Sequence, residues 1–147
     1  MKTLSMKLRR KLASFTRMNG ADRLMVCEAI LFLGLARLIV SSVPFRFMVP
    51  WLRRAPNGGG VDPVLLRRVG RAVTVAARNV PWDAVCLPQA MAAKAMLARR
   101  GLGASFHLGT GLDDQGKLIA HAWLVAGDTV VVGAGGISEV TPLARFG

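Results

Sequence analysis

The segment from Leu24 to Trp51 is the most apolar part of the chain, and it constrains how the rest can fold. It reads LMVCEAILFLGLARLIVSSVPFRFMVPW, interrupted by Glu28, Arg37 and Arg46, so its uncharged runs, 29–36 and 38–45, are eight residues each. A membrane-crossing helix asks for about 20 consecutive, predominantly apolar residues. The runs here are too short for that and too apolar for a solvated helix. The pattern predicts a buried helix ending near Ser41 and Ser42, ahead of Pro44, with a helix lying on a membrane surface as the second reading, because the flanking charge is mostly basic. Cys27, among apolar neighbours, reads as a buried, inert thiol.

The net charge of +12 is unevenly placed. Residues 1–80 hold fifteen Lys and Arg against three Asp and Glu, whereas 81–147 hold five of each. An excess confined to one half points to an anionic partner met by that half. Nucleic acid is disfavoured, because no basic stretch is interleaved with stacking aromatics and the chain has no Tyr. Two Cys exclude a disulfide framework, and no C-x₂₋₄-C or H-x₃₋₅-H pair exists to hold zinc, so no metal and no cofactor is expected. The nearest approach to a phosphate-binding loop, GLDDQGK, continues with Leu118 where Ser or Thr is needed.

Four helices and three strands are expected in order. Residues 1–18 carry Leu4, Leu8, Leu12 and Phe15 at helical spacing among Lys and Arg, with charges running through to Arg17, which is unlike a secretory signal; the expected location is cytoplasmic, with membrane association through the basic, apolar half as an extension. After the apolar helix, PNGGG at 56–60 reads as a linker. Asp62 and Pro63 mark a helix start, and Leu65, Leu66, Val69 and Val73 give that helix an apolar stripe with Arg67, Arg68, Arg71 and Arg78 largely outside it. Arg67, Arg68 and Arg71 read either as a solvated helix face or as a docking face for a partner protein, an acidic peptide or lipid head groups. Cys86 to Arg100 is an alanine-rich helix closed by Gly101. Residues 103–110, 117–125 and 129–133 read as an antiparallel meander. The fold class is α+β, with a basic and apolar helical region at 1–60 and a core at 61–147, packed as one compact unit.

Cys86 stands at a helix start, where backbone N–H groups favour a thiolate, and Pro88 fits the first turn because its missing N–H is not needed there. His121 lies on the second strand, and a helix packed on the sheet could set the thiol against its imidazole as nucleophile and base. His107, in the pattern Ser105, His107, Gly109, reads as lying on an outer or edge face. Trp123 beside His121 reads as a water shield. Backbone N–H groups near Cys86 would hold an oxyanion, with Trp82 or Gln89 as a second donor.

The segments PWDAVCLPQ (81–89), FHLGT (106–110), AHAWL (120–124) and TPLAR (141–145) together resemble the B protein of lasso peptide biosynthesis, in the split form without its leader-recognition domain. The apolar helix running into Val43-Pro44-Phe45-Arg46 is similar to the same family, so the resemblance covers most of the chain. It implies a transglutaminase-like, papain-like core over 61–147 and cleavage of the leader from a ribosomally made precursor. It also implies a separate leader-recognition protein and an ATP-dependent macrolactam synthetase as partners. Cys86 matches the family nucleophile and His121 its base. The family's aspartate, about twelve residues after the histidine, falls on Gly133. Asp128, Asp113, Asp114 and Glu139 are the candidate replacements, with Asp128 first; a backbone carbonyl or a water could also orient the ring. Two other readings stand beside this one: acyl transfer to an amine on the same residues, and a non-catalytic module that binds a partner or a membrane surface.

Overall fold

The computed structural model describes residues 2–54, 60–82, 84–112, 115–134 and 140–146, with only the backbone considered at 2–5, 8 and 140–146. Five helices precede a sheet: α1 (Lys2–Arg17), α2 (Gly20–Ser42), α3 (Phe45–Arg53), α4 (Pro63–Ala77) and α5 (Cys86–Arg99), then β1 (Ser105–Leu112), β2 (Leu118–Ala126), β3 (Thr129–Val132) and β4 (Val140–Phe146). The sheet is antiparallel in the order β3-β2-β1-β4. The α+β reading holds.

Local chemistry explains most of the boundaries. Asn19 caps α2 by accepting from the Asp22 amide at 2.8 Å, and Asp62 caps α4 by accepting from Val64 and Leu65 at 3.0 and 3.2 Å. Gly101, at φ +71, takes the left-handed position after α5 that a residue with a Cβ avoids. Two elements were not expected. α3 forms after Pro44 as its N-cap, and Pro50 within it is exposed, so the lost backbone bond faces water. β4 pairs with β1 and carries Pro142 opposite Gly109, where the register shifts; an edge strand tolerates a residue without an N–H.

The core lies between α5 and its neighbours. Met25, Ala29 and Leu33 of α2, Leu66, Val69 and Val73 of α4, Ala93, Met96 and Leu97 of α5, and Phe106, Ala122 and Leu124 of the sheet are buried together. Gly70 of α4 faces β3 so closely that a Cβ would run into the Val131 carbonyl. Lys94, buried on α5, donates to the Ala104 carbonyl at 2.7 Å and so ties the chain entering β1 to the helix; burial holds its ammonium below the ordinary lysine value.

Three expectations for the first half are corrected. Cys27 is exposed, because it lies on the side of α2 turned away from Val26 and Ala29. Arg68 is not part of a free docking face: its Nε and Nη2 donate to Asp22 at 3.1 and 2.8 Å, joining α4 to α2, while Arg67 and Arg71 stay exposed. The apolar helix is buried along one stripe only, for Leu24, Leu31, Leu35 and Leu38 of α2 are exposed. By length and composition α2 is long and apolar enough to cross a membrane.

Glu28 fastens α2 to the end of α5. Its carboxylate receives Arg99 at 2.8 Å and Arg100 at 2.7 and 3.0 Å, with only 14 % of its side chain exposed. The Arg100 hydrogen bond is the strongest influence, and it holds the Glu28 carboxyl below its ordinary value of 4.5 against the opposing effect of burial. A lowered folded-state value means the stabilisation is fully present above 4.5 and is lost as the pH falls through the folded value. Glu28→Gln should therefore cost roughly 2 kcal/mol at neutral pH. As the pH drops below 4.5 the gap between the melting curves of the two proteins should close. A gap independent of pH would show that Glu28 acts by packing alone.

Candidate active site

β3 is short, and its pairing with β2 extends only from Ala126 back to Leu124. The earlier part of β2, through Ala120 and Ala122, is paired to β1 on one side and has no β3 partner on the other. The candidate site forms at this gap.

Cys86 is the first residue of α5, with Val85 as a cap that makes no side-chain hydrogen bond. Its Sγ lies 3.8 Å from the Ala120 carbonyl oxygen, so the packing of α5 on β2 brings the thiol to the residue that precedes His121. In the first turn Pro88 has no N–H, and the Gln89 amide is bonded to the Val85 carbonyl at 3.3 Å. The amides of Cys86 and Leu87 are the two left to point out of the helix.

His121 follows Ala120 directly on β2. Ala122 and Leu124 lie in the core, so strand alternation puts His121 and Trp123 on the opposite face. From there the His121 Nε2 meets the Gly133 carbonyl oxygen at 2.7 Å. A carbonyl oxygen can only accept, so Nε2 carries the hydrogen, and in the neutral ring Nδ1 keeps its lone pair and can act as a base.

Gly133 suits this contact for two reasons. Its φ is +84, and a Cβ would stand 2.7 Å from both the Ala122 carbonyl oxygen and the Trp123 Cβ. No aspartate fits that backbone. The position where the resembled family places its carboxylate here brings a main-chain oxygen to the ring instead. Asp128, the first candidate for that role, is exposed in the turn after Ala126 and does not approach the ring: five residues of strand, about 16 Å, separate that end of β2 from His121. Asp113, Asp114 and Glu139 lie outside the described residues.

Aromatic stacking completes the surroundings. Trp123, 5 % exposed, stacks on His121 with ring centroids 5.9 Å apart and on His107 at 5.4 Å. His107 lies on the outer face of the sheet with Trp123, but not at an edge; β1 is an interior strand, and His107 stands opposite Trp123 in register. The period-2 pattern puts the two histidines on one face only when the strand register is known, so the sequence reading missed this stack. Neither proposed second oxyanion donor reaches the gap. Gln89 Nε2 donates to the Ala84 carbonyl at 2.6 Å, and Trp82 packs against Gly34 of α2 with its Nε1 buried and unpartnered among the described residues. No grouping of three or more His, Cys, Asp or Glu occurs among the described residues, so no metal centre is formed by them.

A helix-start cysteine set on the strand of a ring-oriented histidine suits cysteine nucleophilic catalysis, and the family comparison agrees: the profile of the transglutaminase-like superfamily matches residues 30–145. The chain belongs to the transglutaminase-like superfamily. No curated protein and no solved structure matches it significantly. That superfamily is one of cysteine peptidases and transglutaminase-type acyl transferases. Its match begins within α2, in keeping with the packing of that helix on α4 and α5.

If Gly133 is required for its backbone, Gly133→Ala should lose about 1–3 kcal/mol in denaturant unfolding, the ordinary range for a Cβ forced into filled space. Nitrogen NMR of the imidazole should show loss of the single Nε2–H tautomer. A variant of unchanged stability and tautomer would mean that the carbonyl does not orient the ring.

Proposed function

We propose that this protein is a cysteine leader peptidase that cleaves the precursor of a lasso peptide, with Cys86 as nucleophile and His121 as base. The observation that carries the reading is the Gly133 carbonyl on His121 Nε2, twelve residues on in the chain, where the resembled family carries its orienting aspartate. Superfamily membership and the CLP and AHAW segments support it.

In this mechanism His121 Nδ1 takes the proton of the Cys86 thiol, and the imidazolium keeps its Nε2–H on Gly133. The thiolate attacks the carbonyl carbon at the end of the leader. The oxyanion that forms is held by the Cys86 and Leu87 amides at the positive end of α5. Collapse of this intermediate breaks the C–N bond, and Nδ1 returns its proton to the leaving amine, which is the new N-terminus of the product peptide. Water, deprotonated by the same nitrogen, then hydrolyses the thioester and restores the thiol. Trp123 covers the imidazole and limits proton exchange with bulk water. The separate leader-recognition protein presents the substrate, and the ATP-dependent macrolactam synthetase consumes the freed amine.

The test is to incubate the protein with a precursor peptide and the leader-recognition protein and weigh the products. Cleavage into leader and core is the expected result, and a product gaining an added amine in place of water would instead establish acyl transfer. Cys86→Ala and His121→Ala should each reduce turnover by about 10⁴ or more, as for members of an interdependent catalytic unit. His107→Ala, one ring removed from His121, should keep most of it. A folded Cys86→Ala variant that still cleaves would refute the assignment.

A further inference from the structure

The outer side of α2 and α3 carries a chemistry that the candidate site does not use. Leu31, Leu35 and Leu38 of α2 and Phe47 and Trp51 of α3 are all exposed, Leu31, Leu38 and Phe47 by more than 60 %. They form one surface. Leu35, Ile39, Phe47 and Trp51 line a hollow of about 440 Å³ that α5 closes with Met91 and Ala95, and Leu35 also borders a second, of about 520 Å³, with Leu31, Leu38 and Trp82. A contiguous apolar face of this kind marks a place of interaction.

The sequence that supplies most of it carries charge of one sign. From residue 29 to residue 61 the sequence has no Asp or Glu and four arginines, Arg37, Arg46, Arg53 and Arg54. Arg46 lies with its guanidinium 4.8 Å from the Phe47 ring centre, so cation and aromatic sit side by side. Arg37 borders the second hollow beside Leu38. Exposed Phe and Trp with Arg at their flanks, on a short helix buried along its other side, is the composition of an element that rests in the headgroup layer of a bilayer.

The packing of α2 opposes spanning. Met25, Ala29, Leu33 and Ala36 of α2 belong to the protein core, and Glu28 is held by Arg99 and Arg100 of α5. Extracting α2 into a bilayer would open that core. Its outer face can meet lipid while its inner face stays where it is.

We infer that the α2–α3 face docks this protein on an anionic membrane surface, with Phe47, Trp51 and the exposed leucines at the boundary between headgroups and acyl chains and Arg46 and Arg54 against the headgroup phosphates. This goes beyond the peptidase reading and is independent of it. The full chain should float with vesicles of equal parts phosphatidylglycerol and phosphatidylcholine and stay behind with phosphatidylcholine alone. Binding should weaken as salt is added. Replacing Arg46 and Arg54 by Gln together should weaken it about twenty-five-fold, about fivefold for each arginine near an anionic surface. Phe47→Ser, at an exposed position, should cost about tenfold. Lipids with brominated chains should quench tryptophan emission in the wild type, and much less in Trp51→Phe. Absence of flotation with the anionic vesicles overturns the proposal, as does flotation that neither the arginine nor the Phe47 variant alters. Light scattering that finds a dimer, abolished by Phe47→Ser, would show that a second copy of the chain covers this face instead. Leader cleavage is measured on the same preparations, so an active protein that ignores vesicles and an inactive one that binds them are distinct results.

Discussion

Small side chains on α5 let three neighbours crowd one helix. Ala90, Ala92 and Ala93 are all but inaccessible, and α2, α4 and β2 each pack on this helix. Alanine keeps the backbone in helical form and adds little width, so elements can approach closely on several sides at once. The position of the thiol follows from this burial. Cys86 opens α5, and where the helix axis meets β2 decides that Sγ arrives at Ala120 and not elsewhere on the strand. Glu28 and Lys94 act further along the same helix, the first holding its last turn to α2 and the second holding the entry to β1. Loosening either end would tilt the helix and move the sulfur with it.

The candidate site draws on main-chain groups. The His121 ring is held by the carbonyl of Gly133, and the amides of Cys86 and Leu87 are the donors left open at the head of α5. A carbonyl is a weaker partner for an imidazolium than a carboxylate, because it carries no full charge. A thiolate–imidazolium pair tolerates that, since the sulfur supplies the opposite charge itself. The gain is rigidity. Gly133 is wedged against the backbone of β2, so its oxygen has no rotamer to lose when it holds the ring.

Much of the helical architecture was legible because its signals are local. Asp62 before Pro63, Gly101 after the alanine run, and Ser41-Ser42 before Pro44 each act within a turn of the boundary they set. The placement of Cys86 at a helix start belongs to the same class. β4 and α3 were not legible, because proline at 142 and at 50 argues against both elements until a sheet edge and a water-facing turn make it harmless.

What the sequence determined by itself was therefore the identity of four helices and three strands, the uneven charge, and the placing of Cys86 at a helix start and of His121 on a strand. Which face of α2 is buried, and with it the exposure of Cys27, was decided by α4 and α5 lying on one side of it. The register of β1 on β2 decided that His107 and His121 share Trp123. The left-handed turn at Gly133 decided that a carbonyl, and not Asp128, meets the imidazole. The division has a physical basis: caps and propensities are energies between residues a few positions apart, whereas burial, register and backbone contacts across the sheet depend on segments the chain brings together only when it folds.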